Sequence, residues 1–147
     1  ARGYDADRGG YGFPGAGGRQ VRETICIEYP KTEAGKRQWG KEYGLNAIYA
    51  GKHWSRRKAD SEYWHSLTHA ALVRAGIPRN PAQKPVSIDF WWDDRLDLDN
   101  HAYMAKMIVD ALKGWVIQDD NRRCVREIAH HWHDRGSILV EIRDGRD

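Results

Sequence analysis

The segment VSIDFWWDDRLDLDNHAYMAKMIVDALKGWVIQDD, residues 86–120, decides the fold that the sequence predicts. In its first part, apolar residues of one parity indicate a β-strand with a buried face: Val86, Ile88, Phe90 and Trp92. In its second part, a helix is predicted from Asn100 to Lys113 and ends at Gly114. The core stripe of that helix holds Met104, Met107, Ile108 and Ala111. The strand therefore leads through a cluster of aspartates into an amphipathic helix.

The flanking sequence extends this pattern in both directions. Upstream, a strand is predicted at Val21–Tyr29, then a long polar loop from Pro30 to about Lys58, then a helix from Asp60 or Ser61 to Ala75. Downstream, residues 124–133 alternate, residues 134–136 form a turn, and residues 137–143 return as a strand. The predicted class is α+β, with a mixed β-sheet packed with two main helices and a C-terminal β-hairpin.

Length and charge indicate one domain that handles a polyanion. The chain has 147 residues, 40% of them apolar, which is enough for one core. Residues 1–18 are predicted to be a Gly-rich flexible tail, and residues 19–147 the domain. The net charge is +3, with the excess of Lys and Arg before Asp93 and an excess of Asp and Glu after it. A basic part beside an acidic cluster suits a polyanion held near metal ions, although ordinary surface charge explains the same balance.

The two cysteines and the hydropathy pattern predict a cytoplasmic protein. Cys26 and Cys124 are far apart and form no CxxC pattern, so both are expected to be reduced core residues. There is no apolar run approaching 18 residues and no signal-peptide segment, so no contact with a membrane is expected.

The aspartates after the strand point to a metal site. Asp97 and Asp99 stand two apart, so in extended geometry both carboxylates would lie on one side and could share a hard cation. Asp119 and Asp120 follow a loop from which a carboxylate could fold back onto that pair. Magnesium prefers oxygen ligands and acidifies a bound water, which suits phosphodiester hydrolysis.

The predicted helix adds a cation to this site. At 100° per residue, Asp99, Lys106 and Asp110 lie on one polar stripe opposite the core stripe, and Lys106 can reach back towards the metal ligands. Simpler roles remain open for the same residues. Asp99 or Asn100 could be a helix N-cap, Lys106 and Asp110 an i,i+4 ion pair, and residues 119–121 a turn.

These residues resemble the signature of the RusA family of Holliday-junction resolvases, which is common in phages and prophages. The matching string is Asp97-Leu98-Asp99-Asn100, then Lys106, then Asp110-Ala111-Leu112, then Asp119-Asp120. The resemblance implies a homodimeric, Mg²⁺-dependent endonuclease of a bacterial host cell that cuts four-way DNA junctions, with Mn²⁺ able to replace Mg²⁺. It implies metal ligation by Asp97, Asp99 and Asp120, with Asp119 in reserve, and an essential cation at Lys106. The gap of seven residues from Asp99 to Lys106 is longer than in the best-known members.

Residues upstream resemble the family's Asn-containing substrate loop less specifically. Asn46 lies in that stretch, and the basic run after it supplies the predicted DNA contacts His53, Arg56, Arg57 and Lys58. A solvated basic loop is the alternative for that run. For the whole protein, the alternatives are a non-catalytic DNA-binding protein with a structural aspartate or ion cluster, and a flap or RNA nuclease that uses the same metal site.

Three histidines near the C-terminus are not predicted to bind metal. His130, His131 and His133 lie on a strand, where only the last two share a side, and no third ligand is fixed by the spacing. They are expected to be surface or DNA-facing residues.

Overall fold

A computed structural model describes residues 21–145; the predicted tail, residues 1–18, lies outside them. The elements run in the order β1 Arg22–Glu28, α1 Glu33–Tyr43, α2 Leu45–Tyr49, α3 Trp54–Arg74, β2 Val86–Trp92, a 3-10 helix Leu98–His101, α4 Ala102–Leu112, β3 Val125–Trp132 and β4 Ser137–Asp144. The α+β class and the mixed sheet are confirmed. In the described part of the chain, no helix has the length and apolar character that crossing a bilayer requires.

The sheet has the strand order β1-β4-β2-β3. β4 is antiparallel to both β1 and β2, whereas β2 and β3 are parallel. The predicted inward residues of β2 are fully buried: Val86, Ile88, Phe90 and Trp92. They form one hydrophobic cluster with the inner faces of α3 and α4, so the two long helices cover this face of the sheet. The acidic segment, residues 93–100, therefore begins where a buried central strand ends.

The two strands of the predicted C-terminal hairpin are present in succession, but their pairing needs a correction. Each bonds to β2, which lies between them, rather than to the other strand. β2 is an interior strand of the sheet, and it is buried on both faces. The connection, residues 133–136, has to span two strand spacings, about 10 Å, which a few extended residues can do. The Asp93 carboxylate holds it by accepting a 2.7 Å hydrogen bond from the Gly136 backbone N–H.

The segment predicted as a long loop is largely helical, so that prediction was wrong. α1 begins after Thr32, whose side chain accepts from Gly35 N–H, and it packs Trp39 against Trp64 of α3 with ring centroids 4.9 Å apart. Two of the glycines that gave this segment its loop-like composition, Gly35 and Gly44, are sites of close approach. A Cβ at Gly35 would lie 2.8 Å from the Cβ of Pro30, and one at Gly44 would lie 2.6 Å from the Gly40 carbonyl oxygen.

The first long helix starts earlier than predicted. α3 begins at Trp54, with the His53 ring accepting from Ser55 N–H, rather than at Asp60 or Ser61. Asp60 is instead a buried interior residue that pairs with the Lys52 ammonium at 2.5 Å. It also accepts a 2.8 Å hydrogen bond from the Tyr103 hydroxyl on α4. This network ties α3 to α4.

Cys26 and Cys124 are both free, as predicted, but each is half-buried rather than part of the core. Cys26 lies on the β1 face that turns away from Ile25 and Ile27, and these two residues are the buried ones. For Cys26, the strand was therefore predicted correctly and its buried face was not, whereas Cys124 lies in the turn before β3.

A buried ion pair fixes the segment between β2 and α4. His101 is fully buried and its ring stacks on Trp92, with centroids 4.2 Å apart. Its Nε2 lies 2.8 Å from Asp94 Oδ1 and its Nδ1 lies 3.0 Å from the Leu98 carbonyl oxygen, so both nitrogens face acceptors. Donation from both ring nitrogens to these acceptors corresponds to the imidazolium form of the ring. The Tyr29 hydroxyl donates to Asp94 at 2.8 Å and accepts from Asp93 N–H at 2.9 Å.

These contacts also set the ionisation of Asp94. Burial alone would raise its pKa, but the hydrogen bond and charge of His101, with the Tyr29 hydrogen bond, outweigh that effect and lower the pKa below its ordinary 3.8. Asp94 is therefore a carboxylate throughout the physiological range. In Tyr29, burial raises the pKa far above its ordinary value, so the phenol keeps its proton.

We expect Asp94→Asn to lower the free energy of unfolding by about 3 to 5 kcal/mol, because it leaves a buried cation without its partner. Urea denaturation followed by tryptophan fluorescence measures this. Since the folded pKa of Asp94 lies below the unfolded one, its contribution is complete above pH 3.8 and shrinks as the pH falls through the lowered folded pKa. Asp134→Asn, at an exposed turn position, is the control. Equal stability of the two variants at pH 6 would contradict the role given to this pair.

Candidate active site and nucleic-acid interface

Asp97 and Asp99 lie at the start of the helix rather than at the end of the strand. β2 ends at Trp92, and Asp97 follows after a loop as the N-cap residue of the 3-10 helix Leu98–His101, which contains Asp99. The extended geometry expected for the pair is therefore wrong. Both side chains are exposed, and neither carboxylate has a hydrogen bond or ion pair with residues 21–145. Their backbone is fixed by the Asp94–His101 pair while their oxygens stay open to a ligand.

The polar stripe of α4 is confirmed by burial. Met104, Met107, Ile108 and Ala111 are buried, whereas Asp99 and Lys106 are exposed and Asp110 is half-buried. The expected i,i+4 pair is also present, with Lys106 Nζ 3.0 Å from Asp110 Oδ1. This hydrogen bond raises the pKa of Lys106 above its usual value, so the side chain remains an ammonium.

The later aspartates join that stripe through lysines. Lys106 Nζ lies 3.4 Å from Asp120 Oδ2, and Lys113 Nζ lies 3.3 Å from both Asp120 Oδ2 and Asp110 Oδ1. Slight burial would raise the pKa of Asp120, but Lys113 and Lys106 lower it on balance. The Asp119 side chain accepts from Asp120 N–H at 2.8 Å and from the Asn121 amide at 3.1 Å, which makes it part of the turn. Asp120 is therefore folded back onto α4, and two cations neutralise it.

The donors suit a hard cation in their chemistry. Asp97, Asp99 and Asp120 offer only carboxylate oxygens, as Mg²⁺ prefers. Within residues 21–145, no three His, Cys, Asp or Glu side chains are close enough together to hold a metal. Asp97 and Asp99 are thus available oxygen ligands, while Asp120 is occupied by lysines. The ligand set predicted from the sequence, with Asp119 in reserve, stays a prediction.

The predicted DNA contacts lie around the start of α3. Asn46 on α2 is exposed, and its backbone N–H donates a 3.0 Å hydrogen bond to the Asn100 side chain beside Asp99. Arg56 pairs with Glu42 at 3.1 Å, which offsets part of its charge. His53, Arg57 and Lys58 are exposed, and the two cations make no ion pair within the described residues. Asn46 is therefore placed next to the acidic segment, and the basic run is open to solvent.

Sequence reasoning missed a second basic surface. A cavity of about 610 Å³ lies between α1 and the segment 93–100, and Asn46 is among its lining residues. Four of the other lining residues are cations: Lys36, Arg37, Lys41 and Arg95. Three of them belong to α1, the helix in the segment that was predicted to be a loop. The signal available in the sequence was the i,i+4 spacing of Trp39 and Tyr43 within a run of basic residues.

The C-terminal histidines have structural roles. His130 accepts a 2.9 Å hydrogen bond from the Trp92 indole, and burial lowers its pKa. His131 lies 2.8 Å from Asp89, and His133 lies 2.6 Å from the Ser137 carbonyl. All three are partly buried rather than fully on the surface, and the expectation that they do not bind metal stays a prediction.

Comparison with known proteins assigns a family to this arrangement. A profile of the family described as Endodeoxyribonuclease RusA matches residues 47–143, about two thirds of the chain. No curated protein matches the sequence. The matched range contains the acidic segment, α4 and the turn from which Asp120 folds back onto α4. The chain belongs to the RusA family of endodeoxyribonucleases.

Proposed function

We propose that this protein is a Mg²⁺-dependent, structure-selective endonuclease that resolves four-way DNA junctions in recombination and repair, with Mn²⁺ able to serve in place of Mg²⁺. The family supports endodeoxyribonuclease activity on junctions. The observation that carries the finer proposal is the pair of exposed, unpaired carboxylates of Asp97 and Asp99 on a segment fixed by a buried ion pair. Side chains held open on a rigid backbone are what a metal centre needs.

In this proposal, Asp97, Asp99 and Asp120 hold the ion, with Asp119 as the reserve ligand. When bound, the ion supplies an acidified water and stabilises negative charge on the phosphate. Lys106, whose ammonium lies beside Asp120, offers a second positive charge to the phosphate. Because its hydrogen bond with Asp110 keeps it protonated, Lys106 acts as a cation and not as a base.

The proposed substrate contacts are Asn46, His53, Arg56, Arg57 and Lys58, which bind phosphates rather than read bases. We further propose a homodimer, because a two-fold protein presents two equivalent sites to a junction of approximate two-fold symmetry. The proposed setting is the cytoplasm of a bacterial host, with a phage or prophage gene as the source.

A second function is favoured by one observation. Asp120 is engaged by Lys106 and Lys113, and no three candidate ligands are grouped within the described residues. A DNA-binding protein without chemistry would tolerate that arrangement. The two functions differ in whether a divalent ion is needed for cleavage.

We expect Asp97→Asn and Asp99→Asn each to reduce cleavage of a labelled four-way junction in Mg²⁺ by more than about 100-fold, since even outer-shell changes cost about 10- to 100-fold. Junction binding and the free energy of unfolding should change little, within about 0.5 kcal/mol for the latter, because neither carboxylate has a partner to lose. Asp134→Asn is the control. Cleavage that survives either substitution, or an uncut junction with wild-type protein in Mg²⁺ and Mn²⁺, would support the non-catalytic function instead.

A comparison of two neighbouring lysines tests the role of Lys106. Both Lys106 and Lys113 pair with Asp110 and Asp120, so Lys106→Gln and Lys113→Gln remove equivalent ion pairs. Each should cost no more than about 1 kcal/mol of stability, because these pairs are exposed. We expect only Lys106→Gln to reduce single-turnover cleavage, by about 100-fold or more. Equal rates for the two variants would remove Lys106 from the active site.

A further inference from the structure

The cavity beside the acidic segment has the size of a small-ligand site and a lining that is both apolar and basic. One wall is α1, and the other is formed by residues 93–96 and Asn100, which flank Asp97 and Asp99 in the chain. Its apolar lining includes Trp39, Leu96 and Met104. Its volume, about 610 Å³, is in the range of pockets that hold one small organic ligand, about 300 to 1,000 Å³. A duplex is too wide to enter such a space, whereas a single base is not.

The charged lining of this cavity is unbalanced. Arg37, Lys41 and Arg95 make no hydrogen bond or ion pair with the described part of the chain, and the Lys36 ammonium lies 4.5 Å from the centre of the Tyr29 ring. Among the acidic residues of the same lining, Asp94 is paired with His101, whereas Glu33 and Asp93 have no cationic partner within the described residues; Asp93 accepts from the neutral Gly136 N–H. The four cations outnumber these two free carboxylates. Four cations without acidic partners favour an anionic ligand.

The cavity also offers groups that can recognise a base. The Asn46 side-chain amide lines it and makes no hydrogen bond within residues 21–145. Trp39 supplies an aromatic ring, and aromatic stacking favours any base because every base has a π-face. Asn46 lies at the contact with Asn100, one residue after Asp99.

We propose that this cavity binds one unpaired nucleotide of the DNA strand at the branch point. Its flanking phosphates lie against Lys36, Arg37, Lys41 and Arg95, and its base lies against the apolar lining. This inference rests on the proposed function, because it takes branched DNA as the substrate. It brings the strand to residues 93–96 and Asn100, on either side of Asp97 and Asp99 in the chain. It also makes branched DNA a better ligand than a continuous duplex, in which every base is stacked.

The phosphate contacts are tested by salt-dependent binding. Fluorescence anisotropy with a labelled four-way junction, without divalent ions, compares the double variant Arg37→Ala/Lys41→Ala with Arg22→Ala/Lys84→Ala. The control removes the same charge at the far end of the sheet, where β1 and β2 begin. We expect about 10-fold weaker binding for the first variant, and a slope of log affinity against log salt that is smaller by about 2. Equal affinities and slopes for the two double variants would overturn the proposal.

The base contact is tested with abasic DNA. In a series of junctions, each nucleotide near the branch point loses its base in turn. One position should weaken binding by about 10-fold, in line with the stacking of a base on an aromatic side chain. In Ala47→Phe, which fills the cavity from its α2 side, that position should no longer differ from the others. If no position in the series weakens binding, the proposal is overturned. It is also overturned if the same position still weakens binding by Ala47→Phe protein that unfolds at the wild-type temperature.

These readouts separate the inference from the proposed function. Both assays measure binding and need no cleavage, so they give an answer even with Asp97→Asn protein. If wild-type protein cuts junctions while Arg37→Ala/Lys41→Ala binds them as well as its control, only the inference fails. If no branched DNA is cut in Mg²⁺ or Mn²⁺, the proposed function fails, and the binding data alone decide the inference. Tighter binding of single-stranded RNA than of DNA with the same sequence would overturn the assignment to DNA.

Discussion

The buried ion pair between Asp94 and His101 is the constraint on which the acidic segment depends. Removing two charges from water costs several kcal/mol for each ion, which is recovered only if the remaining hydrogen bonds are complete. Here they are, because Tyr29 and the backbone of Leu96 also donate to Asp94, and the Leu98 carbonyl accepts from the ring. The pair and its hydrogen bonds thereby connect Tyr29 after β1, the loop after β2 and both ends of the 3-10 helix. Asp97 and Asp99 can remain unpaired because they are not needed to hold the backbone.

The elements that the sequence predicted well are those whose periodicity has a single explanation. β2 and the core stripe of α4 were placed correctly because their apolar residues face one dense core. The strand pairing of β3 and β4 could not be read from their alternation, since a period of two fixes which face is buried but not which neighbour is bonded. α1 was missed because Gly35 and Gly40 lower helix propensity, while the packing that compensates for them comes from Trp64, a residue distant in the chain.

Some residues of the candidate site could likewise be selected from the sequence, and others could not. Asp97, Asp99 and Lys106 could be selected from spacing, and Lys106 does face Asp110 as the helical period requires. Asp97 and Asp99 were expected to share one side of an extended strand. They lie instead after a loop, at the start of a 3-10 helix. The cations of α1 could not be selected at all, since their position opposite the segment 93–100 is a tertiary contact. Local patterns identify chemistry within an element, whereas a cleft between elements needs the fold.

The two groups of carboxylates differ in what a divalent ion would have to displace. Asp97 and Asp99 have no ion pair to break, so an ion would meet open oxygens there. Asp120 would have to exchange contacts with Lys106 and Lys113 for contacts with the ion. Those pairs are exposed, and such pairs contribute only about 0 to 1 kcal/mol each, whereas a divalent ion attracts a carboxylate with twice the charge of a lysine. The lysines therefore keep Asp120 folded against α4 without holding it strongly.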